Sequence, residues 1–440
     1  MSRLLYNVVL HTFAAPFLAA YYAPRIVLGG KYRRSLSGKL GRLPTGFQPE
    51  TLTRPRIWFH AVSVGEVVAL GPLVKAVKEL EPDASIVVST GTETGQDKAH
   101  DSIPQADGLF YLPLDFPVFV NRVVQRIQPD LFVLMETELW PNLIYALKEE
   151  HGAAVALANG RISDRSFPRY RRLRSFFSST LERIDLFLMA SEIDRERIAA
   201  MGAREEKIRV TGNTKFDAAL GRIPVEQEAD VREMLEIERF DMVFVAGSTH
   251  PGEHEIVLDA YQRLKKKYPA LILVLVPRHL ERTPSILSAM KDRGMDPPFL
   301  RSSADLGDRR NGRSVVIVDR MGELFKVFSV ASVVFIGGSL VPNGGQNILE
   351  PAAWGKVVLF GPSMEDFREA REILLRTGAG REVSDIDDLV RRIEGALSDP
   401  EGTRAAGERG RAEILRYAGG AAANAELLVG LLQSRGRRFR

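Results

Sequence analysis

Short apolar runs recur along the chain from residue 57, and polar, helix-patterned stretches fill the gaps between them. The first seven runs are IWFHAV (57–62), SIVVST (85–90), LFYLP (109–113), DLFVLM (130–135), AAVALA (153–158), LFLMA (186–190) and IRVTG (208–212). Each is too short to cross a membrane and is rich in β-branched or aromatic residues, which predicts strands. Apolarity is continuous within a run rather than alternating, so both strand faces are covered. That is the signature of a parallel sheet, and the gaps leave room for one crossover helix each.

The rhythm breaks at 217–240, DAALGRIPVEQEADVREMLEIERF, a polar and mostly helical stretch with no strand pattern. It restarts at DMVFVAG (241–247) and continues through LILVLV (271–276), SVVIVD (314–319), SVVFIGG (332–338) and KVVLFG (356–361). The fold class expected is α/β, with two tandem doubly wound parallel-sheet domains facing a cleft. The boundaries expected are 1–28 for an N-terminal element, 29–216 for the first domain, 217–240 for a linker and 241–418 for the second domain. Residues 419–440 read as a C-terminal helix with a basic tail.

The N-terminal element changes the picture. Between Arg3 and Arg25 lie 21 residues without a formal charge, interrupted by Asn7, His11, Thr12 and Pro16 and ending on Tyr21 and Tyr22. The length suits a bilayer-associated helix, and interfacial aromatics sit at such ends. Nine of the 60 basic residues fall within residues 1–60 against the single acid Glu50, although the whole chain is only +4. The basic excess follows the apolar run, so the bulk of the chain is expected on the cytoplasmic side of a membrane, with 1–28 as anchor. A cleaved signal peptide and a buried core helix are the alternatives.

Composition narrows the chemistry. There are no cysteines, which excludes disulfides, thiolate nucleophiles and Cys-ligated metals. The seven histidines are scattered, and Asp385-Ile386-Asp387 reads as a helix cap rather than a metal motif. No metal and no cofactor are expected. The basic N-terminal stretch lacks interleaved aromatics, so nucleic acid is not an expected partner.

In open α/β sheets ligands bind beyond the carboxyl ends of the strands. After the first run, Ser63-Val64-Gly65-Glu66 puts a carboxylate on a first helical turn. It reads either as a helix-start charge or as a general base for a substrate hydroxyl. After the fourth run, Glu136-Thr137-Glu138-Leu139-Trp140-Pro141-Asn142 places two acids together before a helix. They are costly to bury unpartnered, unless they merely cap that helix. The stretch 159–174 carries six arginines among aromatics, a solvated face or a surface for anionic lipid headgroups. Lys215, in GNTKFD, could oppose a leaving phosphate or form a hinge ion pair. In the second domain, small-residue loops at 246–253 and 343–351 read as anion cradles. Pro277-Arg278-His279, Met321-Gly322-Glu323 and Gly337-Gly338-Ser339 end neighbouring strands or open helices.

The motifs HAVSVGEV, ETELWPN, NGRISDRS, GNTKFD, AGSTHPGEHE, VPRH and GGSLVPNGGQNILEPA, in that order, closely resemble the 3-deoxy-D-manno-octulosonic acid (Kdo) transferases of lipopolysaccharide assembly. The resemblance runs from about residue 55 to about 365 and implies the GT-B glycosyltransferase architecture, two Rossmann-like domains with an N-terminal membrane-associated helix. It implies inverting transfer of Kdo from CMP-Kdo to a hydroxyl of lipid A precursor (lipid IVA), with inner-membrane phospholipids as a further partner. The first domain would bind the acceptor and the second the CMP-sugar. Carried over, Glu66 is the general base, and Glu136 and Lys215 stabilise the transition state. Arg278, His279, Met321, Gly322, Glu323, Asn347, Ile348, Leu349 and Glu350 bind CMP. The alternatives are a GT-B lipid glycosyltransferase using a UDP-sugar and an isomerase of the UDP-GlcNAc 2-epimerase type.

Overall fold

The computed structural model describes the chain except residues 1–2, 15, 18–19, 22–23, 26–31, 165, 222–226 and 437–440. Parts of the expected anchor 1–28, together with Lys31 and Arg165 of the basic stretches, therefore lie outside the described residues. The chain forms two units, Met1–Ala218 with Tyr417–Arg440, and Ala219–Arg416.

Among the described residues each unit holds one seven-stranded sheet. In the first unit the strands are β1 (Arg56–Ala61), β2 (Ser85–Thr90), β3 (Gly108–Tyr111), β4 (Leu131–Met135), β5 (Ala154–Gly160), β6 (Leu186–Met189) and β7 (Ile208–Val210). Their order is β3-β2-β1-β4-β5-β6-β7, and every pairing is parallel. The central strands β1, β2, β4 and β5 are buried along their whole length, whereas the edge strands β3 and β7 are not. This is why the central runs read as unbroken apolar sequence.

Alternation within those runs builds two cores. Trp58, Val87, Phe132 and Phe187 pack on one face. Ile57, Phe59, Val88 and Val133 pack on the other, with Leu70 and Val74 of the helix Val64–Leu80. Each large side chain buried this way contributes roughly 1.5–3 kcal/mol. Trp58 satisfies its indole N–H by donating to Ser89 Oγ at 2.7 Å. The C-terminal helix Gly420–Gly436 joins the second of these cores through Ala425 and Leu428. Asp217 fastens its start by accepting from the N–H groups of Gly419 and Ala421.

The second unit holds β8 (Val243–Thr249), β9 (Ile272–Pro277), β10 (Phe299–Leu300), β11 (Val315–Ile317), β12 (Val333–Ile336), β13 (Val358–Phe360) and β14 (Gly380–Glu382). Their order is β10-β11-β9-β8-β12-β13-β14, again all parallel. Asp385 caps the helix Ile386–Ser398, its side chain accepting from Asp388 N.

Strand order locates the ligand edge of each sheet. The chain leaves β1 toward β2 on one side and leaves β4 toward β5 on the other, so the crevice between β1 and β4 is a switch point. The same reversal falls between β8 and β12 in the second unit.

At the N-terminus the helix Arg3–Val9 continues into a wider turn, Leu10–Ala14. Among the described residues no helix is long and apolar enough to cross a membrane. The helix docks by its polar residues. Tyr6 donates to Asp115 Oδ2 at 2.8 Å, Asn142 Nδ2 donates to Asn7 Oδ1 at 2.7 Å, and Arg3 Nε donates to Asn142 Oδ1 at 3.1 Å. Its apolar residues face outward: Leu4 is 75% exposed, Val8 52% and Phe13 69%, and Phe17, beyond this element, is 68% exposed. This inverts the polarity of an ordinary surface helix, whose apolar stripe faces the core.

Candidate active site

Glu66 and Glu136 emerge on either side of the first unit's switch point, one after β1 and the other directly after β4. Ser63 starts the helix that carries Glu66 and accepts from its backbone N–H. The Glu66 carboxylate in turn accepts from Val62 N at 2.7 Å and from the Ser63 hydroxyl at 3.0 Å. These contacts resemble a capping box and fix the rotamer. They take one bond per oxygen, and a carboxylate has about four lone-pair sites, so each oxygen keeps capacity to receive a proton. Glu66 is only 8% exposed. Burial, helped by the neighbouring charge of Glu136, pushes its carboxyl up to about 7.

Glu136 has a left-handed backbone (φ 55°). For a non-glycine residue this costs on the order of 1–3 kcal/mol, and such strain clusters at functional sites. The backbone still extends the sheet, since Glu136 N donates to Ala158 O at 3.0 Å. The side chain pairs with Lys215, Nζ to Oε1 2.7 Å, both side chains being largely shielded from solvent. Burial raises the Glu136 carboxyl, but Lys215 and Arg161 outweigh it and hold the group below the usual carboxylate range. Among the described residues no such cation offsets Glu138, and burial with repulsion from Glu136 moves it up. Thr137 between them donates to Arg161 O. The site therefore holds carboxyls pushed in opposite directions, the arrangement that separates a proton acceptor from a permanent anion.

Lys215 is aimed by two asparagines. Asn159, itself left-handed at the end of β5, accepts from Thr214 N at 3.0 Å, and Asn213 accepts from Lys215 N at 3.0 Å. Neither stood out from the sequence as a positioning residue, although both occur in its motifs. Asp115 is a third such residue. It receives Asn142 N, Leu143 N and the Tyr6 hydroxyl, and so ties the N-terminal helix to the segment that follows the acids. Burial pushes the Asp115 carboxyl up to about 6 against those donors.

In the second unit the expected nucleotide residues follow β9, β11 and β12. Arg278 and His279 are exposed beyond β9, Arg278 N donating to Thr249 O. The His279 ring meets that of His250 edge-on, 5.7 Å between centroids. His250 also faces Asn343 Nδ2 at 3.1 Å and Gln346 Nε2 at 3.5 Å, so the loops after β8, β9 and β12 converge. Met321 and Gly322 are exposed. Glu323 is engaged within the protein, with Arg301 and Lys326 each 3.2 Å away. Asn347 accepts from Leu349 N and starts the short helix Leu349–Ala353, whose first turn includes Glu350. The side chains of Ile348 and Leu349 are buried in the unit, so these two could meet a ligand only through their backbone. Among the described residues no group of three or more His, Asp or Glu side chains is arranged to hold a metal ion.

Two doubly wound parallel sheets, with acids at one switch point and converging loops at another, define a GT-B-like architecture. The architecture resembles the UDP-GlcNAc 2-epimerase of Neisseria meningitidis, with a TM-score of 0.60 over 86% of this chain and 100% of that one. At 15% identity that likeness shows the fold alone. Sequence decides the family. The family model of 3-deoxy-D-manno-octulosonic-acid transferases matches residues 34–218. A 3-deoxy-D-manno-octulosonic acid transferase of Haemophilus influenzae is 33% identical over 420 residues, 95% of this chain and 96% of its own. A bifunctional glycosyltransferase/methyltransferase of Fusobacterium nucleatum is 38% identical over 342 residues. That match takes in 77% of this chain but 52% of the relative, so the chain spans about half that protein's length. The chain belongs to the 3-deoxy-D-manno-octulosonic acid transferase family.

Proposed function

We propose that this protein transfers Kdo from CMP-Kdo to a hydroxyl of lipid A precursor, with inversion and without a metal. The observation that carries the reading is the Glu66 carboxyl, held near neutrality at a switch point beside an ionised Glu136. Near neutral pH such a group can take a proton and later release it. Glu66 removes the proton from the acceptor hydroxyl as that oxygen bonds to the anomeric carbon of Kdo. The bond from that carbon to the CMP phosphate oxygen breaks, and its electron pair leaves with CMP. Positive charge developing on the sugar is stabilised by the Glu136 carboxylate. Lys215 has three N–H donors, so its contact with Glu136 leaves capacity for an anionic group of the donor. Arg278, His279 and residues 321–323 and 347–350 hold the nucleotide.

The outward apolar face of the N-terminal helix supports residence on the cytoplasmic face of the inner membrane, where a lipid-linked acceptor is found. Leu4, Phe13 and Phe17 offer apolar area to a bilayer, while Arg3, Tyr6 and Asn7 hold the helix to the protein.

The experiment is incubation with CMP-Kdo and lipid IVA in detergent, alongside UDP-GlcNAc with the same acceptor and UDP-GlcNAc alone. CMP release with a Kdo-modified lipid is expected. UDP release, or epimerised UDP-sugar, would replace this reading with one of its alternatives.

A further inference from the structure

Glu253 is a fully buried carboxylate, 0% exposed, in the middle of the second unit's loops. It opens the helix Glu253–Lys267, directly after the left-handed Gly252. Its oxygens accept four backbone N–H groups from two different loops. His250 N and Gly338 N donate to Oε2 at 2.9 and 2.7 Å. Ser339 N and Leu340 N donate to Oε1 at 3.0 and 2.9 Å. The small-residue turn after β12 thus has three successive N–H groups turned inward onto this side chain. The fit is close on the far side too. A Cβ on Gly337 would lie 2.5 Å from Ser248 O and 2.7 Å from Glu253 Oε2.

The two loops it joins follow β8 and β12, the strands that flank the switch point. They carry His250, Asn343 and Gln346, whose polar groups meet one another. Gly344 N also donates to Ser363 Oγ beyond β13. A carboxylate bound to four N–H groups is an internal anion. It sets the loop's shape before any external anion arrives, so nucleotide binding need not order the loop.

We infer that Glu253 is a positioning residue for nucleotide binding, locking the loop after β12 to the loop after β8. This rests on the reading that the second unit binds CMP. Glutamine at 253 keeps the size but presents an NH₂ group. Either orientation turns that group on two of the four N–H donors and leaves them without an acceptor. Aspartate keeps both acceptors on a stem one methylene shorter.

The test uses the full chain and the variants Glu253→Gln, Glu253→Asp and Asp217→Asn. Asp217 accepts two backbone N–H groups at a helix start in the first unit and serves as the stability control. Four quantities are measured: CMP affinity by calorimetry well below each melting point, KM for CMP-Kdo, kcat, and hydrogen exchange of the 337–346 amides without ligand. Glu253→Gln should weaken CMP and raise KM by about tenfold or more, with kcat changed less than about threefold, the effect of two buried donors left unsatisfied. Glu253→Asp should recover part of the affinity. Exchange at Gly338, Ser339 and Leu340 should rise in both, whereas Asp217→Asn should lose stability with CMP affinity unchanged. A folded Glu253→Gln that binds CMP within about twofold of wild type overturns the inference. If Glu253→Gln does not fold, Glu253→Asp decides: wild-type affinity together with wild-type exchange at 338–340 overturns it. Folded wild-type protein that does not bind CMP instead overturns the nucleotide reading, and the exchange data still report whether Glu253 locks the loop.

Discussion

Lys215 and Glu136 stand 79 positions apart in sequence, yet their charged atoms lie 2.7 Å from each other. The ends of β4 and β5 bring them together, and Asn159 aims the lysine. Removing one member of a largely buried pair leaves an uncompensated charge. Lys215→Met should therefore lose roughly 3 kcal/mol in urea unfolding, and Lys215→Met/Glu136→Gln should regain much of it. Both should be at least about 100-fold slower in Kdo transfer: both lack the cation that faces the anionic donor, and the double variant also lacks the anion facing the departing sugar. A double variant no more stable than the single one would show that the pair is not the coupled unit described.

The Glu66 carboxyl must be ionised to accept a proton. With its value near 7, kcat/KM should fall as pH drops through about 7. Glu136 contributes to that position by repulsion, so Glu136→Gln should move the acidic limb to lower pH while lowering the plateau. Glu66→Gln should lose about 10²–10⁴-fold in rate on the plateau above about pH 7, and its profile should lack the acidic limb. A pH–rate profile for each variant checks the three statements together.

The same carboxyl has a stability signature. Its folded value lies above the unfolded value of 4.5, so folding favours the protonated form. This contribution is complete below about pH 4.5 and is lost as pH rises through about 7, by about 3 kcal/mol. Glu66→Gln removes the dependence. Its melting temperature relative to wild type should therefore be higher at pH 8 than at pH 5, and a constant difference would contradict the burial argument.

The nucleotide segment should divide into two kinds of position. Arg278→Ala should weaken CMP in calorimetry with little change in melting temperature, because the side chain is exposed. Ile348→Ala should do the reverse. That side chain is wholly buried, and such truncations cost about 2–5 kcal/mol. Loss of CMP affinity in a stable Ile348→Ala would mean that the side chain itself meets the ligand.

At the N-terminus, Leu4→Ser/Phe13→Ser/Phe17→Ser should leave the melting temperature nearly unchanged, since these side chains face outward. The variant should release from anionic liposomes in high salt, while wild type stays, because salt screens charge but not apolar insertion. Flotation at two salt concentrations distinguishes the cases.

The strands were legible where they are buried on both faces. The two that went unread are edge strands: β10, Phe299–Leu300, has two residues, and β14, Gly380–Glu382, has the sequence Gly-Arg-Glu with no apolar run. Glu66, Glu136 and Lys215 were legible as charged residues beside strand ends. Their pairing was not, because it depends on which strands become neighbours. Asn159, Asp115 and Glu253 act by accepting backbone N–H groups across loops. A single polar residue in such a role leaves no periodic trace in sequence. The C-terminal segment was legible as a helix, but not as cover for the first sheet.

That helix makes the order of synthesis matter. The first unit is interrupted by residues 219–416 and resumes at Tyr417. One face of its sheet waits for Ala425 and Leu428, which leave the ribosome only after the whole second unit. At about 5–20 residues per second, the roughly 200 intervening residues take on the order of 10–40 s to translate. During that interval the second unit is continuous and can close by itself, while the unit bearing Glu66 still shows an uncovered apolar face. A stop codon just after Tyr417 would leave the second unit whole and strike the sheet that starts at Arg56.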